Sequence, residues 1–367
     1  MSLLFPGRAA VSRPRELAGG THAGFRTVLF VLAFALATLG CSRAQDVGTR
    51  PGSPADDLPK WITPLLASGV RPDWSGDGRR LVYLDGLVGD VYELDLASGE
   101  SLHLTGHFDH HGFTRARYLA SGDLLLCGPG AGSGSGEKGD RWHPQMYFLP
   151  RDGLQPAQSL DEPCFEGPAV ARGDMRIAWN RTDYPDEVLF GRSEIWTARV
   201  EVVDGKARLV DKKKRVDRSD FLYFAFLETQ DFRPPDEQEL IFSAYAYRGG
   251  EVMGVDLVSG EITNYSQDWA YDEAEGVFPD GRSVAVEREL DTYTAVPVGD
   301  IDIWRLSLED ASDYQRLTYF TRYAGYGANN PVISPDGTRM AFGLRVKGGE
   351  HGNAQGIFLY DFTRAPR

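Results

Sequence analysis

Residues 69–84, GVRPDWSGDGRRLVYL, and residues 89–105, GDVYELDLASGESLHLT, are the stretches that decide the fold. In the first, a strand-like run leads through an Asp and Gly turn to Leu81–Tyr83, which is the pattern of two β-strands joined by a tight turn. In the second, two further apolar runs flank a turn at Ser98–Gly99. Together the two stretches predict one four-stranded antiparallel sheet.

The same unit recurs along the chain and gives six copies. The others lie at 113–128 with 145–153, 167–180 with 194–200, 231–244 with 251–265, 276–288 with 302–318, and 330–344 with 356–362. Repeats of this length that each form a four-stranded sheet are typical of propellers. Residues 60–362 are therefore predicted to form an all-β, six-bladed β-propeller of four-stranded antiparallel blades.

The last unit ends at Phe362, after its third strand. Residues 60–63, KWIT, resemble residues 315–318, QRLT, which end the fourth strand of an earlier unit. We therefore expect this N-terminal segment to complete the last blade and close the ring, because a closed ring has no open sheet edge.

Residues 1–40 have the pattern of a lipoprotein-type signal peptide. Four arginines precede the apolar run Val28–Leu39, which is shorter than the roughly 20 residues of a membrane span. Cys41 follows a small residue, as in the cleavage box whose cysteine is lipidated. An uncleaved anchor and an ordinary signal peptide are the alternatives. Residues 41–59 are poor in large apolar side chains and are predicted to be a disordered tether, and residues 363–367 a C-terminal tail.

The chain is acidic, with a formal net charge of −14 over 367 residues. A nucleic-acid partner is excluded because its binding needs a basic patch or stripe, and acyl chains rather than head-group attraction are expected to hold the protein at a membrane. Apart from Cys41, the cysteines are Cys127 and Cys164. Two buried free thiols are the favoured interpretation, and a disulfide, which an exported protein allows, is the alternative.

The sequence PDWSGDGR at 72–79 and the sequence SPDG at 334–337 resemble the TolB-like (WD40-like) propeller repeats of bacterial periplasmic proteins. The resemblance covers residues 60–362. It implies a TolB-like propeller in the cell envelope. Members of that family include envelope scaffold proteins, propeller domains of peptidases and relatives of oligogalacturonate lyase, so the resemblance does not choose an activity.

Loops that follow second and fourth strands share one end of a meander, which we call the loop-rich face. The turns after first and third strands share the other end, which we call the short-turn face. The long insertions all belong to the first class, at 128–143, 180–193, 211–227, 288–300, 319–329 and 345–355. Because function concentrates in loops on a rigid scaffold, the loop-rich face is predicted to be the working face.

Histidines are concentrated on that face: His107, His110, His111, His143 and His351. Neutral imidazoles from neighbouring blades are suitable ligands for a divalent metal. The alternative is a set of solvated histidines with local hydrogen bonds.

Polar residues also begin the innermost strands, which line the channel of a propeller. Aligning the units predicts a ring at the channel mouth: Arg115, Glu166, Asp231, Asp272, Glu273, Glu275, Asn329 and Asn330. This acidic ring with one arginine suits a cation, a basic peptide segment or sugar hydroxyls. A hydrated channel with no ligand is the alternative.

Two functions follow from these features. The first is a non-catalytic binding or scaffold lipoprotein of the bacterial cell envelope, periplasmic or associated with the outer membrane, which captures a protein or glycan partner. The second, implied in part by the resemblance, is a metal-dependent lyase acting on acidic oligosaccharides, with Arg115 on the substrate carboxylate and His110 or His111 as base. The acidic ring opposes the second function, because it repels such a substrate.

Overall fold

The computed structural model describes residues 47–366 apart from 131–140, 154, 184–186, 188–189, 223, 291–298 and 348–353. The predicted signal peptide, Cys41 and His351 lie outside the described residues. The described part is nearly all β-structure, with no α-helix and three short 3-10 helices at Pro54–Asp56, Arg218–Asp220 and Phe320–Arg322. Within these ranges no helix is long and apolar enough to cross a membrane.

The strands form four-stranded antiparallel sheets in succession. The first strand, β1 (Ile62–Leu66), belongs to the last sheet. The first sheet contains β2 (Val70–Trp74), β3 (Arg80–Leu84), β4 (Val91–Asp95) and β5 (Ser101–His103). The second contains β6 (Arg115–Tyr118), β7 (Leu124–Pro129), β8 (Pro144–Leu149) and β9 (Gln158–Pro163). The third contains β10 (Ala169–Val170), β11 (Arg176–Thr182), β12 (Ser193–Val203) and β13 (Lys206–Asp217).

Two further meanders are linked by a single parallel residue pair, Gly250 with Tyr271. The fourth sheet contains β14 (Phe226–Arg233), β15 (Glu239–Tyr245), β16 (Gly250–Asp256) and β17 (Ile262–Asn264). The fifth contains β18 (Tyr271–Val277), β19 (Ser283–Glu289), β20 (Asp302–Ser307) and β21 (Tyr314–Arg316). The last contains β22 (Tyr326–Ile333), β23 (Arg339–Val346) and β24 (Ala354–Asp361), followed in space by β1.

The N-terminal strand lies where the sequence predicted. β1 pairs antiparallel with β24, with Ile62 opposite Tyr360 and Pro64 opposite Phe358. Ile62 is buried in the apolar cluster of the last sheet. The segment that precedes the first sheet therefore completes the last one.

The core lies between successive sheets. Leu84 of the first sheet shares an apolar cluster with Leu126 of the second, and Leu81 of the first shares another with Ala341 of the last. Strands covered on both faces in this way read as near-continuous apolar runs, which is why the repeat was visible in the sequence.

The expected disordered tether is partly ordered. The backbone N–H of Gly48 donates to the carbonyl oxygen of Thr321 at 2.8 Å, and the N–H of Arg50 donates to that of Arg322 at 2.8 Å. The hydroxyl of Tyr323 donates to Asp57 at 2.8 Å. These backbone hydrogen bonds and the buried phenol of Tyr323 order part of the segment that its composition predicted to be a disordered tether.

The interval 211–227 also differs from expectation, because it is strand as far as Asp217. β12 and β13 form a long hairpin around Asp204–Gly205, whose φ angles are 51° and 74°. Two consecutive positive φ values are those of a type I′ turn, which matches the twist of the paired strands and lets the hairpin extend.

Cys127 and Cys164 form a disulfide, with Cα atoms 5.7 Å apart. Both residues are fully buried. The interpretation as free thiols was therefore wrong: a separation of 37 residues carries no pairing signal, and the fold of the second sheet brings the two together.

Candidate ligand site where the first strands meet

The first strand of each sheet contacts the first strand of the next, and β22 contacts β2. Four of these strands contain a register shift at the same point. The shifts lie between Val70 and Asp73, Thr229 and Asp231, Ala274 and Gly276, and Asn329 and Val332. Bulges re-aim side chains and are frequent beside functional sites. Arg71 and Asn330, at φ 53° and 49°, lie in two of them.

Charged residues lie at two levels on three of the first strands, β6, β14 and β18. We call the residues nearer the loop-rich face the upper tier (Arg115, Glu228 and Glu273), and those nearer the short-turn face the lower tier (Arg117, Asp231 and Glu275). All except Glu273 are more than nine-tenths buried. The predicted single ring included four of these six residues and lacked Arg117 and Glu228.

In the lower tier, Arg117 is well satisfied. Its guanidinium donates to Asp73 at 3.1 Å, to the carbonyl oxygen of Pro168 at 3.3 Å and to that of Gln230 at 3.1 Å. Burial opposes the charge, but Asp73 and Asp231 together raise the pKa of Arg117. Arg117 therefore ties three sheets together.

A cavity of about 740 Å³ opens beside the lower tier at the short-turn face. Its lining includes Arg117, Asp231 and Glu275 together with the turn residues Ser75–Asp77. The sequence analysis directed attention to the other face and missed this cavity.

In the upper tier, Arg115 has few partners. Its Nε donates to the carbonyl oxygen of Glu166 at 2.9 Å, and it forms no ion pair with any described carboxylate. Burial lowers the pKa of Arg115, and repulsion from Arg71 lowers it further.

Glu166 is clamped from two sides. Its carboxylate accepts from Arg71 at 2.5 Å and from Arg141 at 2.5 Å. Burial alone would raise its pKa, but these two guanidinium groups lower the pKa of Glu166 to about 2. Glu166 therefore stays ionised and is already neutralised by the protein.

A second set of carboxylates is not neutralised. Glu273, Glu275 and Glu287 present oxygen atoms that lie within 4.8 Å of one another. Glu287 accepts from the backbone of Asn330 at 2.6 Å, and the Asn330 amide donates to Glu275 at 3.4 Å. Burial and neighbouring carboxylates raise the pKa of Glu273 to about 7 and that of Glu287 well above its usual value.

Tyrosines cover the acidic side. Tyr245 donates its hydroxyl to Glu228 at 2.9 Å, and Tyr271 donates to Glu273. The two phenol rings are stacked with centroids 5.9 Å apart. Burial, with Glu273 adding to it, raises the pKa of Glu228 well above its usual value.

Most of the predicted ring residues line this region, but Asp272 does not. It is fully buried and pairs with Arg288 at 2.5 Å and with the hydroxyl of Tyr314 at 3.2 Å. Successive side chains of a strand point to opposite faces, so Asp272 and Glu273 cannot both face the same space. Asn329 is 6% exposed, and its Oδ1 has no hydrogen-bond partner among the described residues.

Four charged residues escaped the sequence analysis: Arg71, Arg117, Glu228 and Glu287. Glu287 lies on a second strand, directly opposite Glu273 in the register of β18 and β19. Counting the residue pairs outward from the turn between β18 and β19 would have predicted that Glu287 lies opposite Glu273. Arg71 lies in the register shift between Val70 and Asp73, and the sequence pattern does not indicate that shift.

The histidines are not assembled into a metal site within the described residues, where no candidate ligand group of three contains a histidine. His110 Nδ1 accepts from the N–H of Gly112 at 2.9 Å, so its Nε2 carries the proton and donates to Asp90 at 3.0 Å. His107 Nε2 lies 3.1 Å from the carbonyl oxygen of Gln155. His111 and His143 are exposed. Local hydrogen bonds thus use ring nitrogens that a metal would need.

No protein-family model and no curated protein matches the chain. Solved structures do. A puromycin-hydrolyzing peptidase from Mycobacterium tuberculosis is 16% identical at a TM-score of 0.51, over 81% of this chain and 44% of that one. TolB from Acinetobacter baumannii is 10% identical at 0.48, over 81% and 63%. An oligogalacturonate lyase in complex with manganese is 11% identical at 0.47, over 83% and 79%.

The chain thus spans less than half of the peptidase and 63% of that TolB. The likeness to the peptidase supports the TolB-like propeller fold, and at 16% identity it supports the fold alone.

Proposed function

We propose that the chain is a non-catalytic binding lipoprotein of the bacterial cell envelope that captures a partner protein on its loop-rich face. In this proposal the sheets form six blades, β1 closes the ring, and lipidated Cys41 anchors the protein. The pairing of β1 with β24 and the contact of β22 with β2 support the ring. The anchor and the envelope location rest on the sequence of residues 1–41.

The observation that carries the proposal is a set of exposed apolar side chains around one end of the sheets: Phe190, Leu222, Trp269 and Tyr319. Each lies in a loop after a second or fourth strand, so all four belong to the loop-rich face. Leu102 on β5, Val202 and Val203 at the end of β12, and Val258 on the short-turn face are exposed as well among the described residues. The four side chains of the loop-rich face are three aromatic residues and one leucine, and their larger apolar surface favours that face as the interaction surface.

The charge of the chain favours a particular partner. The net charge is −14, and the acidic residues of the upper tier lie inside the loop-rich face. Electrostatic complementarity therefore favours a protein segment that carries basic residues next to apolar ones. The lyase alternative is less favoured, because it needs converging histidines and no group of three candidate ligands among the described residues contains one.

Site-specific photocrosslinking in intact envelopes tests the partner surface. A benzophenone amino acid replaces Trp269 or Leu222 on the loop-rich face, and replaces Val258, which is 78% exposed on the short-turn face, as the matched control. We expect one discrete adduct from the first two positions and none from Val258. Equal adducts from all three positions, or none, would contradict the proposal.

A further inference from the structure

Arg115 and Arg117 lie two residues apart on β6 and are both more than nine-tenths buried, but only Arg117 is paired. Arg115 keeps 7% of its surface accessible and uses only its Nε, toward the carbonyl oxygen of Glu166. Its two terminal nitrogens have no hydrogen-bond partner among the described residues. Neither terminal nitrogen is fully enclosed, so both are accessible to a ligand.

The carboxylates near Arg115 lack cationic partners. Glu228, Glu273, Glu275 and Glu287 form no ion pair within the described ranges, although Glu273, Glu275 and Glu287 lie within 4.8 Å of one another. Their donors are neutral, namely two tyrosine hydroxyls and the backbone and amide of Asn330. Three carboxylates this close need a cationic group between them to ionise together.

The two sides lie around one centre, because the first strands contact one another in a closed series from β2 through β22 and back to β2. Glu275 and Glu228 act on the guanidinium of Arg115 through their charge, and neither forms an ion pair with it. Glu275 also lines the cavity of about 740 Å³ that opens at the short-turn face. A small ligand that carries one positive and one negative group would satisfy both sides at once.

We propose that Arg115, together with the carboxylates of Glu273, Glu275 and Glu287, binds a short zwitterionic ligand of the amino-acid or dipeptide class. Its carboxylate pairs with Arg115, and its ammonium group lies among Glu273, Glu275 and Glu287. This site goes beyond the partner surface on the loop-rich face and does not depend on it.

Calorimetric titration of the purified full chain with Gly-Gly, Ala-Leu and Lys-Ala tests the proposal. Each dipeptide is compared with its N-acetylated form, which lacks the α-ammonium group, and its C-terminal amide, which lacks the carboxylate. We expect at least one dipeptide to bind, and each blocked form of it to bind at least about tenfold more weakly, because each loses a charge-assisted contact. For Lys-Ala, whose side chain keeps an ammonium group, the amide alone is decisive.

Variants assign the two ends of the ligand. R115Q should make a dipeptide and its amide bind equally, and E287Q should do the same for a dipeptide and its N-acetylated form. R208Q, at a residue exposed on the β12–β13 hairpin, is the control and should behave like the wild type. The blocked dipeptides are also compared on the wild-type chain, so the test stands even if a variant fails to fold.

The inference is overturned if none of the three dipeptides binds, or if the blocked forms bind as tightly as the free ones. If either result is obtained while Trp269 still gives its crosslink, the dipeptide site is contradicted and the partner surface is still supported. Dipeptide binding without a Trp269 crosslink would do the reverse.

Discussion

The indole Nε1 of Trp74 donates a hydrogen bond to the backbone carbonyl oxygen of Val332 at 3.0 Å. Trp74 ends the first strand of the first sheet, and Val332 lies in the first strand of the last sheet. The guanidinium of Arg339 covers the same indole ring at 4.8 Å. A single side chain thus joins parts of the chain that are 258 residues apart.

Replacing Trp74 with Phe should lower the free energy of unfolding by about 1–3 kcal/mol, because the buried carbonyl oxygen of Val332 loses its donor. Urea denaturation measures the change. Trp269→Phe is the matched control, since this indole is 59% exposed, and it should change stability by less than about 0.5 kcal/mol. Equal effects of the two substitutions would mean that the contact between the first and last sheets contributes little.

The N-terminal strand offers a second test of how the last sheet is completed. Ile62 is 4% exposed in the cluster that contains Phe358 and Tyr360. Ile62→Ala should cost about 2–5 kcal/mol through lost burial and the cavity left behind. Thr63→Ala, at an exposed position of the same strand, should be nearly neutral. A similar melting temperature for both variants would argue that β1 is not docked.

The two arginines of β6 should respond differently to the same change. Arg117→Met leaves Asp73, whose side chain is 13% exposed, without its cation and should destabilise the fold by about 3–5 kcal/mol. Arg115→Met removes an unpaired buried charge and should be neutral or stabilising. Chemical denaturation of both variants decides the matter, and a large loss for Arg115→Met would show that this residue has a structural partner.

The raised pKa of Glu273 predicts the direction of the pH dependence. Its pKa is about 7 in the fold, against 4.5 as its ordinary value, so between these values the folded state binds more protons than the unfolded state. Stability from this group is therefore present at low pH and is lost as the pH rises toward about 7.

Melting temperatures from pH 5 to pH 8 should thus fall less steeply for E273Q than for the wild type. Glu261→Gln, at an exposed position, should leave the wild-type slope unchanged. A slope for E273Q identical to that of the wild type would contradict the buried, protonated state of this carboxyl group.

The disulfide should be detectable chemically and thermodynamically. Peptide mapping without reductant should recover a cross-linked Cys127–Cys164 peptide pair. The Cys127→Ala, Cys164→Ala double variant should lose about 2–4 kcal/mol of stability, because the bond restricts a loop of 37 residues in the unfolded chain. Recovery of two alkylated free thiols from protein purified without reductant would contradict the bond.

Much of the architecture was predictable from local pattern. The Asp and Gly turns and the runs of β-branched and aromatic residues marked each four-stranded unit, because a strand covered on both faces must be apolar along its length. The KWIT segment indicated β1 for the same reason, since it resembles the fourth strand of an earlier unit. The tether and the β12–β13 hairpin were not predicted correctly. The order of the tether depends on partners distant in sequence, and the length of the hairpin depends on one turn.

The site was predicted only in outline. Glu166, Glu273 and Glu275 were predicted because the aligned units place them near the starts of first strands; in the structure Glu166 precedes β10 and the other two lie on β18. Arg71 and Glu287 were missed, since one enters through a bulge and the other from a second strand. Asp272 was wrongly included, because a shift of one residue along a strand reverses the direction of the side chain.

The sequence by itself determined the repeat, the strand order within each unit and the N-terminal strand that returns to the last sheet. These follow from turn chemistry and from apolar runs, which are local properties. Only the tertiary structure decided which charges meet and which are left without partners: Arg117 with Asp73, Glu166 with Arg71, and Arg115 unpaired opposite the carboxylates. Charge pairing depends on distances between residues from different sheets, and those distances exist only once the sheets have packed around a common centre.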